Sequence, residues 1–317
     1  MDLRLGTRGS ALATAQSGQF ADAVVAAAAE RGTSAGGGAG GRVGDGVAVE
    51  LVTITTKGDI DRGSLIGLSQ TGVFVTALRE ALLAGECDFI VHSLKDVPTQ
   101  PYEGLEIVAI PTREDPRDAL CTDGRTLAEL PEGARVGTGS PRRASQLKAM
   151  RPDLEVLPLR GNVDTRLAHV GDDLDAVVLA AAGLNRLGRS ADATEPLAVT
   201  AMVPAPGQGA LAIEIREDAP DELRALLATL DDPATRAAVT AEREALRVLD
   251  AGCAAPVAAH AVVSRGRLTL HTRVINEDGT LALNERNSGV LAEASSIGRS
   301  SGFSLLGRGA ERLMGRA

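Results

Sequence analysis

Two short stretches of this chain repeat one pattern: Arg4-Leu5-Gly6-Thr7-Arg8-Gly9-Ser10 and Arg135-Val136-Gly137-Thr138-Gly139-Ser140. Each reads as a strand ending in Gly-Thr, a turn of small residues, and a helix start. Each is followed by short apolar strands alternating with helical segments, which specifies two α/β lobes. In the first, strands are predicted over 3–5, 47–55, 89–93 and 105–110. Helices are predicted from Ser10, as N-cap, to residue 31, and over 73–83. A Gly-rich insertion, 32–46, and a loop, 56–71, interrupt them. In the second, strands at 135–138, 154–159 and 176–180 alternate with helices at 141–150 and 163–170, with Pro141 suited to a first turn.

The breaker Pro204-Ala205-Pro206-Gly207-Gln208-Gly209 then precedes alternating Leu211, Ile213 and Ile215, a strand, and helices over 221–230 and 234–249. Strands at 257–263, 268–274 and 281–284 and a helix at 304–314 form a smaller α+β unit. The implied domains are 1–112 with 209–230, 117–203, and 233–317. Breaker-rich crossings at 111–117 and 203–209 imply a clamshell, whose ligand binds beyond the strand ends between the lobes.

Composition narrows the ligand. The 317 residues are 44% apolar and 24% charged, an ordinary globular balance. The net charge of −9, with 2% aromatics, no Trp and one Tyr (Tyr102), argues against a nucleic-acid binder. Lys occurs only at Lys57, Lys95 and Lys148, so nearly all positive charge is Arg. Compositional bias towards Ala, Gly and Arg accounts for some of this, and planar recognition of carboxylates or phosphates for the rest. Cys87, Cys121 and Cys253 form no CxxC pair, so neither a disulfide framework nor a thiolate metal site is expected. Met1 to Gly6 lacks a basic segment with an apolar core, and the apolar stretch at 23–29 is too short to span a bilayer. A cytoplasmic protein without membrane attachment is expected.

Helix starts attract anions through free N–H groups and the positive dipole end. Thr7, Ser10, Thr138 and Ser140 add hydroxyls there, with Arg8 at the first turn and Arg142 and Arg143 at the second. Neither turn fits GxxxxGK[ST] or GxGxxG, so a nucleotide is not indicated. Arg160 and Arg166 straddle another helix start, and Arg186 follows a buried strand. In Val91-His92-Ser93-Leu94-Lys95-Asp96-Val97-Pro98, strand alternation turns Lys95 and Asp96 to opposite faces. Asp96 could act as general acid/base or stabilise a cation, and Lys95 could hold an anion or form a Schiff base. His92 reads as a packed, hydrogen-bonded residue. Arg113-Glu114-Asp115-Pro116-Arg117-Asp118 reads as an ion-paired hinge, and no metal is expected. Cys87 and Cys121 read as small core residues. Cys253, in a loop before the C-terminal strands, is accessible either as a nucleophile or as an attachment point.

Taken in order, HSLKDVP, REDPRDAL, VGTGSPRRASQL, LRGNVDTRL, LAAAGLNRLG, PAPGQGALAIE and AGCAAP resemble the hydroxymethylbilane synthase (porphobilinogen deaminase) family. The resemblance implies two periplasmic-binding-protein-like α/β lobes, a smaller C-terminal α+β domain, and a monomer. It implies joining of four porphobilinogens, with loss of ammonia, onto a dipyrromethane cofactor, then hydrolytic release of linear hydroxymethylbilane. It makes Asp96 the catalytic carboxylate and Cys253 the thioether attachment point. It assigns cofactor and substrate binding to Arg8, Ser10, Gln16, Lys95, Thr138, Ser140, Arg142, Arg143, Arg160, Arg166 and Arg186. Thr71 stands where the family often has Lys, and Gly139 and Pro141 replace the commoner Ser and Leu. A non-catalytic anion receptor would share both lobes, but Cys253 in an appended domain and the missing export segment favour the enzyme.

Overall fold

The computed structural model describes residues 1–34, 46–54, 70–251 and 255–315. The chain divides into two compact units, Met1–Thr112 with Leu211–Asp232, and Arg113–Ala210 with Pro233–Ala317.

The first unit holds a five-stranded sheet in the order β2-β1-β3-β10-β4. Its strands are β1 (Asp2–Thr7), β2 (Ala48–Thr53), β3 (Phe89–Ser93), β4 (Leu105–Ala109) and β10 (Leu211–Arg216). β1 is parallel to β2 and β3, whereas β10 runs antiparallel to β3 and β4. Residues two apart share a face. Accordingly Phe89, Val91, Ile213 and Ile215 pack on Phe20 and Val24 of α1 (Ala11–Ser34), while Ile90 packs on Leu78 and Leu82 of α2 (Gln70–Leu83). Covered on both sides, the sheet buries Glu214 as well as the alternating apolar residues of β10.

The second unit repeats the order as β7-β6-β8-β5-β9. Its strands are β5 (Asp118–Cys121), β6 (Arg135–Thr138), β7 (Glu155–Pro158), β8 (Ala176–Ala180) and β9 (Glu195–Pro196). Again three parallel strands are followed by an antiparallel one. The repeated glycines occupy equivalent places. A Cβ on Gly6 would stand 2.7 Å from Cys87 Sγ, and one on Gly137 2.5 Å from Leu174 Cδ1. The turns are Gly because neighbouring chain leaves no room for a side chain. α3 (Pro141–Met150) covers one face of this sheet through Leu147.

The same unit carries an antiparallel sheet of β11 (Val257–Ser264), β12 (Arg267–Ile275) and β13 (Ala282–Val290). Ala238, Ala241 and Ala245 of α7 (Pro233–Val248) and Ala294 and Ile297 of α8 (Ala294–Gly307) cover one face of it.

Several elements differ from the sequence expectation. β5 was not foreseen as a strand, being four residues that begin with a charge. β13 runs six residues beyond 284, because an edge strand tolerates the polar Glu285–Ser288 stretch. The last long helix starts at Ala294, not 304; its Ser-rich first half is held by packing on α7, which overrides weak propensity. The helix expected over 163–170 is a five-residue α4 (Val163–Leu167), followed by turns that include the left-handed Gly171. The 32–46 insertion and the 56–71 loop fall largely outside the described residues.

Candidate active site

At the carboxyl ends of the parallel strands β1 and β3, the first unit forms a cavity. Thr7 ends β1 as a buried residue whose hydroxyl accepts a 2.9 Å bond from Ser17 Oγ. Arg8 and Gly9 turn the chain. Ser10 then caps α1: its Oγ accepts from the Ala13 N–H at 3.4 Å and its carbonyl from the Thr14 N–H at 2.9 Å. One turn on, Gln16 Oε1 accepts from Ser93 Oγ at 3.1 Å, tying α1 to the end of β3. Arg8, Ser10, Gln16, His92, Ser93 and Asp96 line the resulting cavity.

Four expected site residues, Arg8, Ser10, Gln16 and Asp96, therefore meet, and Asp96 is the carboxylate among the lining side chains. The strand-alternation argument for Lys95 and Asp96 needs correction. Leu94–Asp96 is a 3₁₀ turn, in which successive side chains fan around an axis rather than alternate. Leu94 is buried and anchors the turn, leaving Lys95 and Asp96 half-buried on its outer side. Lys95 is absent from the cavity lining.

In the second unit, the equivalent turn leads into α3. Thr138 is buried and its Oγ1 accepts from the Ser140 N–H at 3.3 Å. Ser140 stands at the N-cap without a side-chain cap bond, and Pro141 occupies the first turn. Arg142 and Arg143 do not project freely from this helix start. Both are buried, and both hold Asp118: Arg142 Nη1 at 2.7 Å, Arg143 Nε at 2.9 Å and Nη2 at 2.7 Å. Gln208 Nε2 adds a donor at 2.9 Å, and Arg142 and Arg143 also reach the Val203 and Val178 carbonyls. Burial alone would push the Asp118 carboxyl up, but Arg142 and Arg143 hold it far below the usual carboxylate range.

The remaining cations of this unit differ in environment. Arg160 is exposed. Arg166 is half-buried, with Nε donating to the Gly161 carbonyl at 2.8 Å; burial, and then the like charge of Arg143, push its pKa down. Arg186 donates to the Gly209 carbonyl at 2.7 Å and is pushed down by burial, with Glu114 offsetting part of this. A ligand carboxylate arriving here relieves that penalty, so the donor chemistry suits an anion.

Of the ion pairing expected over Arg113 to Asp118, Asp115 and Arg117 form a pair 2.6 Å apart. Arg113 instead spans 129 residues to Glu242, at 2.6 and 3.1 Å. Glu242 also accepts from the Gly207 and Ala261 N–H groups at 2.7 Å each. Burial would raise its carboxyl; Arg113 first, then His260, bring it down to about 2. In the first unit Glu214 binds Arg79 at 2.9 and 2.5 Å and lies 3.2 Å from His92 Nε2; His92 is packed as expected, but its Nε2 makes no aligned hydrogen bond. Burial raises the Glu214 carboxyl and these partners return it to about 2. The buried carboxylates Asp118, Glu214 and Glu242 were missed as organising residues. Glu214 alone left a signal, a charge inside an apolar strand.

Cys253 lies outside the described residues. Cys87 and Cys121 are buried, as expected of core residues. Among the described residues no group of three His, Cys, Asp or Glu is placed to hold a metal ion, and no helix is long and apolar enough to cross a membrane.

Two family models match this chain: "Porphobilinogen deaminase, dipyromethane cofactor binding domain" over residues 3–224, and "Porphobilinogen deaminase, C-terminal domain" over 236–306. The porphobilinogen deaminase of Thermobifida fusca is 49% identical, covering 99% of this chain and 96% of its own length. Those of Leifsonia xyli and Streptomyces coelicolor are 54% and 50% identical, covering 89% and 99% of this chain and 82% and 97% of themselves. Among solved structures, the methionine binding protein MetQ is similar at a TM-score of 0.42 and 14% identity, over 72% of this chain and 89% of that one. That likeness is too distant to carry an argument. Near-full-length relatives at about half identity, with family models over both units, are decisive: the chain belongs to the porphobilinogen deaminase family.

Proposed function

We propose that this chain is a transferase that condenses four porphobilinogen molecules head to tail, releases one ammonia per addition, and frees linear hydroxymethylbilane by hydrolysis. The observation that carries the assignment of the chemistry is the cavity in which Asp96 meets Arg8, Ser10 and Gln16. Each addition breaks a C–N bond, delivers a proton to the leaving amine, forms a C–C bond and recovers a proton from the attacking α-carbon. One carboxyl can serve both transfers, because the proton it gives up is returned within the same cycle. Loss of ammonia leaves an electron-poor, cation-like pyrrole. The Asp96 carboxylate, accepting from the pyrrole N–H, stabilises that charge, and preorganised charge of this kind is usually the largest catalytic contribution.

The substrate's acetate and propionate groups set the remaining roles. Arg8, Ser10 and Gln16 hold carboxylates beside Asp96, and Lys95 adds charge next to them. Thr138, Ser140, Arg160, Arg166 and Arg186 take further carboxylates as the chain grows. Each desolvated Arg–carboxylate bond contributes about 1.5–3 kcal/mol. Arg142 and Arg143, with forks already on Asp118, contribute positive potential and fix the helix start. Cys253 would hold the dipyrromethane cofactor as a thioether, and the group so held would supply a nucleophilic α-carbon for chain extension. The reading includes a monomer in the cytoplasm and three domains: 1–112 with 209–230, 117–203, and 233–317.

Porphobilinogen consumption, with ammonia and linear tetrapyrrole measured together, tests it. The natural chain yields four ammonia per tetrapyrrole, and Asp96→Asn, which keeps shape and removes charge, loses most turnover. Normal turnover by Asp96→Asn overturns the assignment.

A further inference from the structure

Behind the Asp96 cavity lies a buried chain of charged groups that the mechanism above does not use. Arg79 of α2 lays its fork on Glu214 of β10, with Nε to Oε2 at 2.9 Å and Nη2 to Oε1 at 2.5 Å. Glu214 Oε2 lies 3.2 Å from Nε2 of His92 on β3. All three side chains are at most 5% exposed. Strand register explains the meeting: Ala212 stands opposite His92, so Glu214, two residues along, shares its face of the sheet. The far side of Arg79 is fixed as well, 4.8 Å over the Tyr102 ring.

His92 lines the cavity together with Asp96, and Leu94–Asp96 is the turn that continues its strand. A buried ion pair is weak evidence of stabilisation, because apolar residues of similar volume usually fill such a space as well or better. What apolar side chains cannot supply is a charged oxygen at a fixed point beside His92. Glu214 Oε2, 3.2 Å from Nε2 though not aligned as a hydrogen bond, acts on the ring by its charge and biases the ring plane that forms the cavity wall. Arg79 in turn keeps Glu214 charged and stationary.

We propose that Glu214 is a positioning residue for the reaction: through His92 it fixes the wall against which substrate meets Asp96, with Arg79 as its buried counter-ion. The proposal rests on the assignment of Asp96 to the chemistry.

Two double variants separate positioning from packing. Arg79→Met with Glu214→Leu replaces the pair by apolar volume, leaving His92 without that oxygen. Arg79→Met with Glu214→Gln removes the full charges and keeps a carbonyl oxygen, with its partial charge, beside His92. The Leu pair is expected to fold, with its melting temperature close to that of the natural chain, and to lose kcat by about tenfold to a hundredfold, the usual cost of a misplaced wall. The Gln pair is expected to recover part of that loss, with KM little changed in both. If either both pairs keep full kcat or both lose it equally, the proposal is overturned. Should the Leu pair fail to fold, His92→Leu, which leaves Arg79 on Glu214, decides: a kcat equal to that of the natural chain overturns the proposal, and a loss of the size stated supports it. Asp96→Asn run alongside distinguishes the two claims. Its normal turnover sinks the Asp96 assignment, whereas an inactive Asp96→Asn beside fully active Leu and Gln pairs sinks only the role of Glu214.

Discussion

Replacing Asp118 by Asn removes one negative charge from the centre of the second unit and leaves two buried guanidinium groups facing each other. The carboxylate is fully buried and accepts from Arg142, Arg143 and Gln208 at 2.7–3.2 Å. Breaking a buried pair by deleting one partner costs about 3–5 kcal/mol, because the remaining charge stays desolvated. At about 2–4 °C per kcal/mol for a domain of 150–250 residues, the melting temperature of the second unit should fall by roughly 6–20 °C. Differential scanning calorimetry of the full chain measures this. Sulfate provides a second reading: an anion that binds the two cations left without their carboxylate stabilises the variant more than the natural chain. A melting temperature within about 2 °C of the natural chain, below the shift for one kcal/mol, would refute the claim that Asp118 holds the start of α3.

Acid should weaken both units. Glu214 and Glu242 have folded pKa values of about 2 against an ordinary 4.5, so the stability they supply is present above about 4.5 and drains away as pH falls towards 2. At 1.36 kcal/mol per pKa unit this is on the order of 3 kcal/mol for each group; melting curves that stay flat from pH 5 to pH 3 contradict it. Gly137→Ala pushes a methyl to 2.5 Å from Leu174 Cδ1 and should cost about 1–3 kcal/mol of overpacking, while Gly18→Ala, with nothing within 4 Å in α1, should gain about 0.5–1 kcal/mol. Denaturant titration of the two variants checks the opposite signs. Burial pushes the Cys87 and Cys121 thiols up to about 11 and about 12, so neither should react with a thiol reagent at pH 8 in the folded chain. In denaturant two of the three cysteines should label, because the third is already alkylated, and labelling of all three contradicts the thioether.

The duplicated Gly-Thr turns made the two α/β lobes legible, because a glycine forced by close packing and a helix start forced by topology recur together in both. The cavity residues Arg8, Ser10 and Asp96 were legible for the same reason, sitting within a few residues of strand ends, whereas Gln16, inside α1, came only from the family resemblance. The partners that fix the arginines were not. Arg79 and Glu214 are 135 residues apart and Arg113 and Glu242 129 apart, so nothing local links them. Alternation of Leu211, Ile213 and Ile215 left Glu214 on what reads as a solvent face, yet β10 is an internal strand with both faces covered. The Ser-rich start of α8 and the polar half of β13 were hidden because their structure comes from neighbouring elements rather than from propensity.

Intact-protein mass spectrometry puts the central claim to its most direct test. The purified chain should weigh more than its sequence by two deaminated porphobilinogen units, and Cys253→Ser should match its sequence mass. A natural chain at bare sequence mass, or an adduct that survives Cys253→Ser, would contradict an acid-rich pyrrole chain grown on that sulfur.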